Sequence, residues 1–178
     1  GNDNSHKFFR EIFQVDSIII PPFPEKQFKR FPCIAIKDEN SWYETIIESV
    51  VRQSQIHGKP VLVIAEYIKY AQEIVSRLKE KNIEAFSYTS QDESNIIQQR
   101  IKPGAVIVAT NIAGRGTDIK LDLQVEVNGG LHICQTFKAQ NERVDQQNTG
   151  RTSRSGNRGT SQLIFLEREF SCSQENYE

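Results

Sequence analysis

The chain has 178 residues, with 22 Lys+Arg against 23 Asp+Glu and a formal net charge of −1. This near-neutral balance excludes a global basic field of the kind that gathers nucleic acid. No apolar run approaches the roughly 20 residues that a membrane span needs, and no charged start with an apolar middle marks a signal peptide.

In chain order, residues 1–10 read as a weakly ordered tail. Asp16 to Ile20 reads as a strand, stopped by Pro21, Pro22 and Pro24. Residues 25–33 are mixed and read as an extended arm. Ser41 and Glu44 have the spacing of a capping box, and Trp42, Ile46 and Val50 repeat at helical spacing behind it. Gly58 and Pro60 end that helix. Val61 to Ala65 is a short apolar strand. Ile68, Ala71, Val75 and Leu78 give the buried stripe of a second helix, from Glu66 to about Lys81.

Ile83 to Tyr88 follows as a strand, residues 92–101 as a short helix, and Ala105 to Thr110 as a third strand. Further strands are expected over Leu131–Thr136 and Gln162–Leu166, with a helix over residues 139–147 between them. Strands alternating with helices predict an α/β fold, a mainly parallel sheet covered on both faces. Right-handed crossovers then gather the loops after the strands on one edge. The expected division is an arm over 1–38, partly packed on the domain, a domain over 39–170 and a tail over 171–178.

Cys33, Cys134 and Cys172 are an odd count without metal spacing, so reduced thiols in an intracellular protein, cytoplasmic or organellar, are expected. The chain has no methionine, not even an initiator, which suggests a trimmed or excised domain. His6, His57 and His132 have no spaced metal or nucleophile partner, so structural roles are expected for all three. Trp42 is expected to be a packing residue.

Two segments carry chemistry. The apolar run 105–109 leads into Thr110-Asn111-Ile112-Ala113-Gly114-Arg115-Gly116-Thr117-Asp118-Ile119-Lys120-Leu121. A buried strand that ends in a Gly-rich polar turn is where an α/β sheet commonly meets a nucleotide. Gly114 and Gly116 let the backbone turn sharply and approach a ligand. Some thirty residues on, Gln147-Asn148-Thr149-Gly150-Arg151-Thr152-Ser153-Arg154 has the spacing Q-x-x-G-R-x-x-R. Alone, a G-R-G marks a turn, Asp118 is a helix cap and an R-x-x-R is a surface pair. In this order and together they favour a functional reading. Arg115 fits a contact with a partner domain and a solvated side chain equally well.

These segments resemble motifs V and VI of superfamily 2 helicases and translocases. The wording of the first is similar to that of the SecA family of ATP-driven preprotein translocase motors. The likeness runs from about Ile12 to Glu169 and takes in residues 15–21, Lys59-Pro60-Val61-Leu62-Val63, Gly129-Gly130-Leu131 and Arg143-Val144-Asp145. Two departures stand out. Thr149 and Ser153 replace an Arg and a Gly of the family's motif VI, and residues 137–141 leave its charged pattern.

The resemblance implies a RecA-like three-layer sandwich of the helicase C-terminal type. It implies that Arg151 and Arg154 are arginine fingers facing the same way across a cleft. Arginine suits that role because its guanidinium stays charged and forks around phosphate oxygens. Gly114, Arg115, Gly116, Thr117, Asp118, Gln147 and Gly150 would line the nucleotide, with Asp118 at the ribose or holding the arginines. The implied cofactor is ATP with Mg²⁺. The implied partners are a first RecA-like domain of the same polypeptide, an unfolded polypeptide substrate and a membrane channel, with a peripheral place at a membrane. Nucleic acid is the less favoured partner.

No G-x-x-x-x-G-K-[ST] phosphate loop and no Asp-Glu-x-Asp run occurs in the chain. It thus supplies half of a composite site, with no tightly bound nucleotide and no turnover expected of it alone. The rival readings are the C-terminal domain of an RNA or DNA helicase, and a degenerate SecA-like interaction module.

Overall fold

The computed structural model describes residues 3–15, 18, 25–88, 100–110 and 120–167, and the side chains of these except residues 3–6 and 155. The strand expected over 16–20 and the helix expected over 92–101 fall outside or largely outside them. Five α-helices are described: α1 (Asp3–Phe13), α2 (Glu39–Val51), α3 (Ile68–Glu80), α4 (Leu123–Val127) and α5 (Glu142–Thr149). The strands are β1 (Gln27–Arg30), β2 (Ile34–Ile36), β3 (Val61–Ala65), β4 (Ala85–Tyr88), β5 (Val106–Thr110), β6 (Leu131–Gln135) and β7 (Arg158–Leu166).

The strands form one sheet in the order β1-β7-β6-β3-β5-β4, with β2 also on β7. Every pairing between them is parallel. All residues of β3, β5 and β6 are buried, as near-continuous apolar runs covered on both faces require. Alternation divides them. Val61, Val63, Val106 and Val108 join Trp42, Ile46, Val50, Ile74 and Leu78 in one core cluster. Leu62, Ile64, Ile107, Leu131 and Ile133 join Ile101 and Phe137 in the other. Helices α2 and α3 therefore cover the first face. The chain steps in the opposite direction from β5 to β6 and from β6 to β7, so right-handed crossovers put α4 and α5 on the second. This is the expected RecA-like three-layer sandwich.

The details correct several sequence expectations. The cap of α2 is Asp38, whose Oδ2 accepts from the Ser41 backbone N–H at 2.7 Å. Ser41 is thus the third residue of the helix rather than its cap, and its own N–H is the first-turn amide that aspartate at 38 satisfies. The helix continues past Val51 as a π-helical turn, Arg52–Ile56, before Gly58 turns the chain at φ 62°.

Helix α5 starts at Glu142, capped by Asn141 Oδ1 on the Val144 N–H at 3.0 Å, and runs to Thr149. The extended arm contributes β1 and β2, which lie end to end along β7. Pro32, which has no N–H to give a ladder, falls in the gap between them. The Gln162 side chain bridges that gap by donating to the Pro32 carbonyl at 3.3 Å. Trp42 packs as expected, 2% exposed, with Nε1 donating to the Ile164 carbonyl at 3.0 Å.

Candidate nucleotide-facing site

The first motif begins where β5 ends. Thr110 is buried at the carboxyl end of that strand. Lys120 and Leu121 lie beside the residues leading into β5: the Lys120 carbonyl accepts from the Ile101 N–H at 2.9 Å, and Ile101 and Leu121 form a parallel bridge. Between these anchors, Gly114, Arg115, Gly116, Thr117 and Asp118 lie outside the described residues.

The second motif is described in full. Helix α5 carries Gln147 on its exposed side and Asn148 on its buried side. Gly150 caps the helix, its N–H donating to the Gln146 carbonyl at 2.8 Å. A Cβ there would stand 2.7 Å from that same carbonyl oxygen, so only glycine lets the chain turn this tightly. Ser153 then takes φ 56° and ψ 37°, a left-handed conformation that breaks helical spacing. Arg154–Gly156 follow as a short 3₁₀ turn.

The loop is stapled to the sheet from below. Thr152 Oγ1 donates to the Leu131 carbonyl at 2.8 Å, at the start of β6. Ser153 Oγ donates to the Asn157 carbonyl at 2.7 Å. Gly159, near the start of β7, packs so closely that a Cβ would overlap Thr152 Oγ1 and stand 2.9 Å from the Ser153 nitrogen. Asp145 ties the helix to the far edge strand, its Oδ2 lying 2.6 Å from Arg30 Nη2. A contact across 115 residues of sequence leaves no local signal, and this one was invisible to pattern reading.

The two arginines have different surroundings. Arg151 is 7% exposed. Arg154 is exposed, with Nε donating to the Gly150 carbonyl at 3.1 Å. Both side chains are engaged by neighbours. The turn at Ser153, absent from any helical projection, places one inside the loop and the other on its surface. Sequence reasoning also missed Asn148, which is fully buried with neither amide atom bonded to any other described residue.

Two buried titratable groups of β6 lie away from this loop. His132 is buried in β6, with Nδ1 2.9 Å from Thr160 Oγ1, and burial followed by the Lys59 charge pushes its pKa down to about 3. Burial raises the Cys134 thiol to about 12, so it is not a nucleophile at neutral pH.

The arginine loop fits a triphosphate as a source of positive charge, with the exposed Arg154 at its surface. It does not by itself fit Mg²⁺. Among the described residues no group of three His, Cys, Asp or Glu side chains is placed to hold a metal ion.

Comparison with known proteins sets this site in a family. Residues 34–128 match the model of the SecA P-loop domain. The chain is 34% identical over 168 residues to the protein translocase subunit SecA of Chlamydia abortus, covering 89% of this chain and 17% of that protein. It is 33% identical over 162 residues to protein translocase subunit SecA 2 of Nitrosospira multiformis, covering 89% of this chain and 24% of that one. The chain therefore spans a quarter or less of the length of these relatives.

Among solved structures, the fold is similar to the E. coli DEAD-box protein SrmB bound to regulator of ribonuclease activity A. The TM-score is 0.60 at 17% identity, over 81% of this chain and 79% of that one. It is also similar to domain 2 of the Mss116p DEAD-box helicase bound to an RNA duplex, with a TM-score of 0.59 at 19% identity, over 84% of this chain and 58% of that one. At such identities these likenesses speak for the RecA-like fold alone. The family match covers more than half of the chain, and the chain belongs to the SecA P-loop domain family.

Proposed function

We infer that this chain is the second nucleotide-binding domain of a SecA-like, ATP-driven motor. In this reading it closes over ATP and Mg²⁺ held by a first RecA-like domain of the same polypeptide, and couples hydrolysis to movement of a polypeptide. The observation that carries the reading is the loop after α5, in which Gly150 and Gly159 hold Arg151 and Arg154 at a fixed place against the sheet.

Phosphoryl transfer asks little covalent chemistry of the protein and much positioned positive charge. Arg154, already at the surface, reaches a phosphate outside the domain most directly. Arg151, buried in the same loop, is the second finger of this reading. Gln147, Gly150 and the stretch Gly114, Arg115, Gly116, Thr117 and Asp118 complete this half of the site. A phosphate loop and the magnesium carboxylates come from the other domain, since the chain has neither motif. A membrane channel and an unfolded polypeptide are the motor's further partners in this reading. No helix among the described residues is long and apolar enough to cross a membrane.

The test is the full-length motor with Arg151→Ala and Arg154→Ala. A finger acts on charge that develops in the transition state, so kcat should fall by about 10³-fold or more while nucleotide affinity changes little. Normal turnover in both variants would sink the reading. The isolated chain should release no phosphate above background. Steady release abolished by Arg151→Ala would contradict the half-site account.

A second reading, a degenerate interaction module, draws on Thr149 and Ser153, which stand where the SecA pattern has an Arg and a Gly. It gains if the full-length protein shows no ATPase activity at all.

A further inference from the structure

Near the amino ends of the strands, Lys29 of β1, Thr160 of β7 and His132 of β6 stand in one register row. Cys134, two residues beyond His132, belongs to the core under α2 and α3, so alternation turns this row to that face. Gly159, the residue before Thr160, turns its open side the other way, towards Thr152 of the arginine loop. The row and the loop are thus back to back on opposite faces of the sheet.

Phe31 covers the row. Its N–H donates to the Ser161 carbonyl at 2.7 Å, and its ring centroid lies 5.7 Å from that of His132. His132 beneath it is fully buried, and its Nε2 has no hydrogen-bond partner among the described residues.

Two ammonium groups meet at this ring. Nζ of Lys29 and Nζ of Lys59 each stand 5.9 Å from the Phe31 centroid. Lys59 is held in place along its length. Its N–H donates to the Gln53 carbonyl of the π-helical turn at 2.9 Å. Its stem crosses Gly129 so closely that a Cβ there would stand 3.2 Å from Lys59 Cε.

Neither lysine makes an ion pair with a described residue. Lys59 is half-buried, and burial followed by the Lys29 charge pushes its pKa below the ordinary value. The fold therefore brings two like charges together without a carboxylate between them. A partly buried charge is costly unless it is paired, so the arrangement calls for an anion from outside the chain. Two positive charges suit a dianion. Lysines act as point charges, without the planar fork that a guanidinium offers a carboxylate, and phosphate accepts such charges from several directions. A phosphate group carries a charge of about −1.5 to −2 at neutral pH.

We propose that Lys29 and Lys59 together hold a phosphate group on the solvent side of Phe31. Free phosphate and a phosphate monoester share this chemistry. The site faces away from the arginine loop, so the proposal does not depend on the ATP reading.

Sodium phosphate and phenyl phosphate would each be titrated into the whole chain at constant ionic strength, following the Phe31 ring and His132 imidazole resonances, with sodium chloride as reference. Phosphate should give saturable shifts with a Kd of about 1 mM. Lys29→Gln and Lys59→Gln should each weaken binding about tenfold, the value of one lost charge contact of about 1.4 kcal/mol. Lys29→Arg, which keeps the charge, should weaken it far less, and Arg154→Ala should leave it unchanged. The dispersion of the other resonances shows that each variant is folded. Tighter binding of phenyl phosphate than of phosphate would support the site and assign it to a monoester. Equal or weaker binding would support it and assign it to free phosphate. No saturable shift beyond that in chloride, up to about fifty times the expected Kd, would overturn the proposal. So would a wild-type Kd in both Lys→Gln variants, which means that phosphate binds elsewhere.

Discussion

Arg30 and Asp145 join the edge strand β1 to the helix that leads into the arginine loop, with 2.6 Å between Nη2 and Oδ2. The Arg30 side chain is 51% exposed and that of Asp145 24%, so solvent screens the pair. A double-mutant cycle with Arg30→Ala and Asp145→Ala should therefore give a coupling of only about 0.2–1 kcal/mol in urea unfolding. A coupling above 2 kcal/mol would mean that β1 and α5 depend on one another far more than this exposure allows.

His132 makes stability depend on acid. In the folded chain its pKa is held down to about 3, against about 6.5 when exposed. Below pH 6.5 the unfolded chain takes up a proton that the folded chain refuses. Stability from this group is therefore full above pH 6.5 and falls as pH drops towards 3. Over the 1.5 units from 6.5 to 5 the loss is about 2 kcal/mol. Urea unfolding at pH 7 and pH 5 should show it in the native chain, and a shallower fall in His132→Asn. Equal slopes in the two proteins would assign the acid sensitivity to other groups.

Asn148 is fully buried on α5 with an amide that bonds to nothing among the described residues. Leucine has nearly the same shape and no desolvated dipole. Asn148→Leu should raise stability by about 1–3 kcal/mol, read as a higher urea midpoint at unchanged slope. A loss of stability would mean that the amide has a partner, and would make Asn148 part of the site rather than a flaw in it.

Gly159 tests whether the arginine loop is held by close packing. A methyl group there collides with Thr152 Oγ1 and the Ser153 backbone, and neither is the loose end of a flexible side chain. Gly159→Ala should cost about 1–3 kcal/mol of stability. In the full-length motor it should lower kcat even where the protein is fully folded. Wild-type turnover in a folded variant would show that the loop tolerates displacement.

Much of the fold was legible because its signals are local. Val61–Ala65 and Val106–Thr110 are apolar runs bounded by turn residues, and α3 carries a 3.6-residue stripe. What stayed hidden depends on distant partners. Gln27–Arg30 is a strand because β7 offers it an edge, and Lys29 and Arg30 alone would argue for a solvated arm. Helix α4 is only five residues long and too short for periodicity to show. In the site, Q-x-x-G-R-x-x-R placed both arginines in one loop. It did not separate the buried Arg151 from the exposed Arg154, since that follows from the left-handed Ser153, a residue with no intrinsic preference for such a turn.

Whether the proposed motor moves polypeptide or nucleic acid can be addressed with this chain alone. The DEAD-box neighbours share its fold at under 20% identity, which carries no nucleic-acid contact over to it. Binding to a phosphate backbone releases counterions, so affinity falls steeply with salt. The chain has 22 basic and 23 acidic residues, leaving no excess of positive charge to drive that release. Labelled single-stranded RNA and DNA, titrated at low salt and then at rising salt, should therefore bind weakly or not at all. Submicromolar binding with a steep salt slope would favour a helicase over a polypeptide motor. It would direct attention to the exposed Tyr67 and the Lys69–Tyr70 pair at the start of α3, where a ring and a cation meet at the surface. Weak, salt-insensitive binding leaves the polypeptide reading ahead, and the full-length ATPase with Arg154→Ala then decides between motor and module.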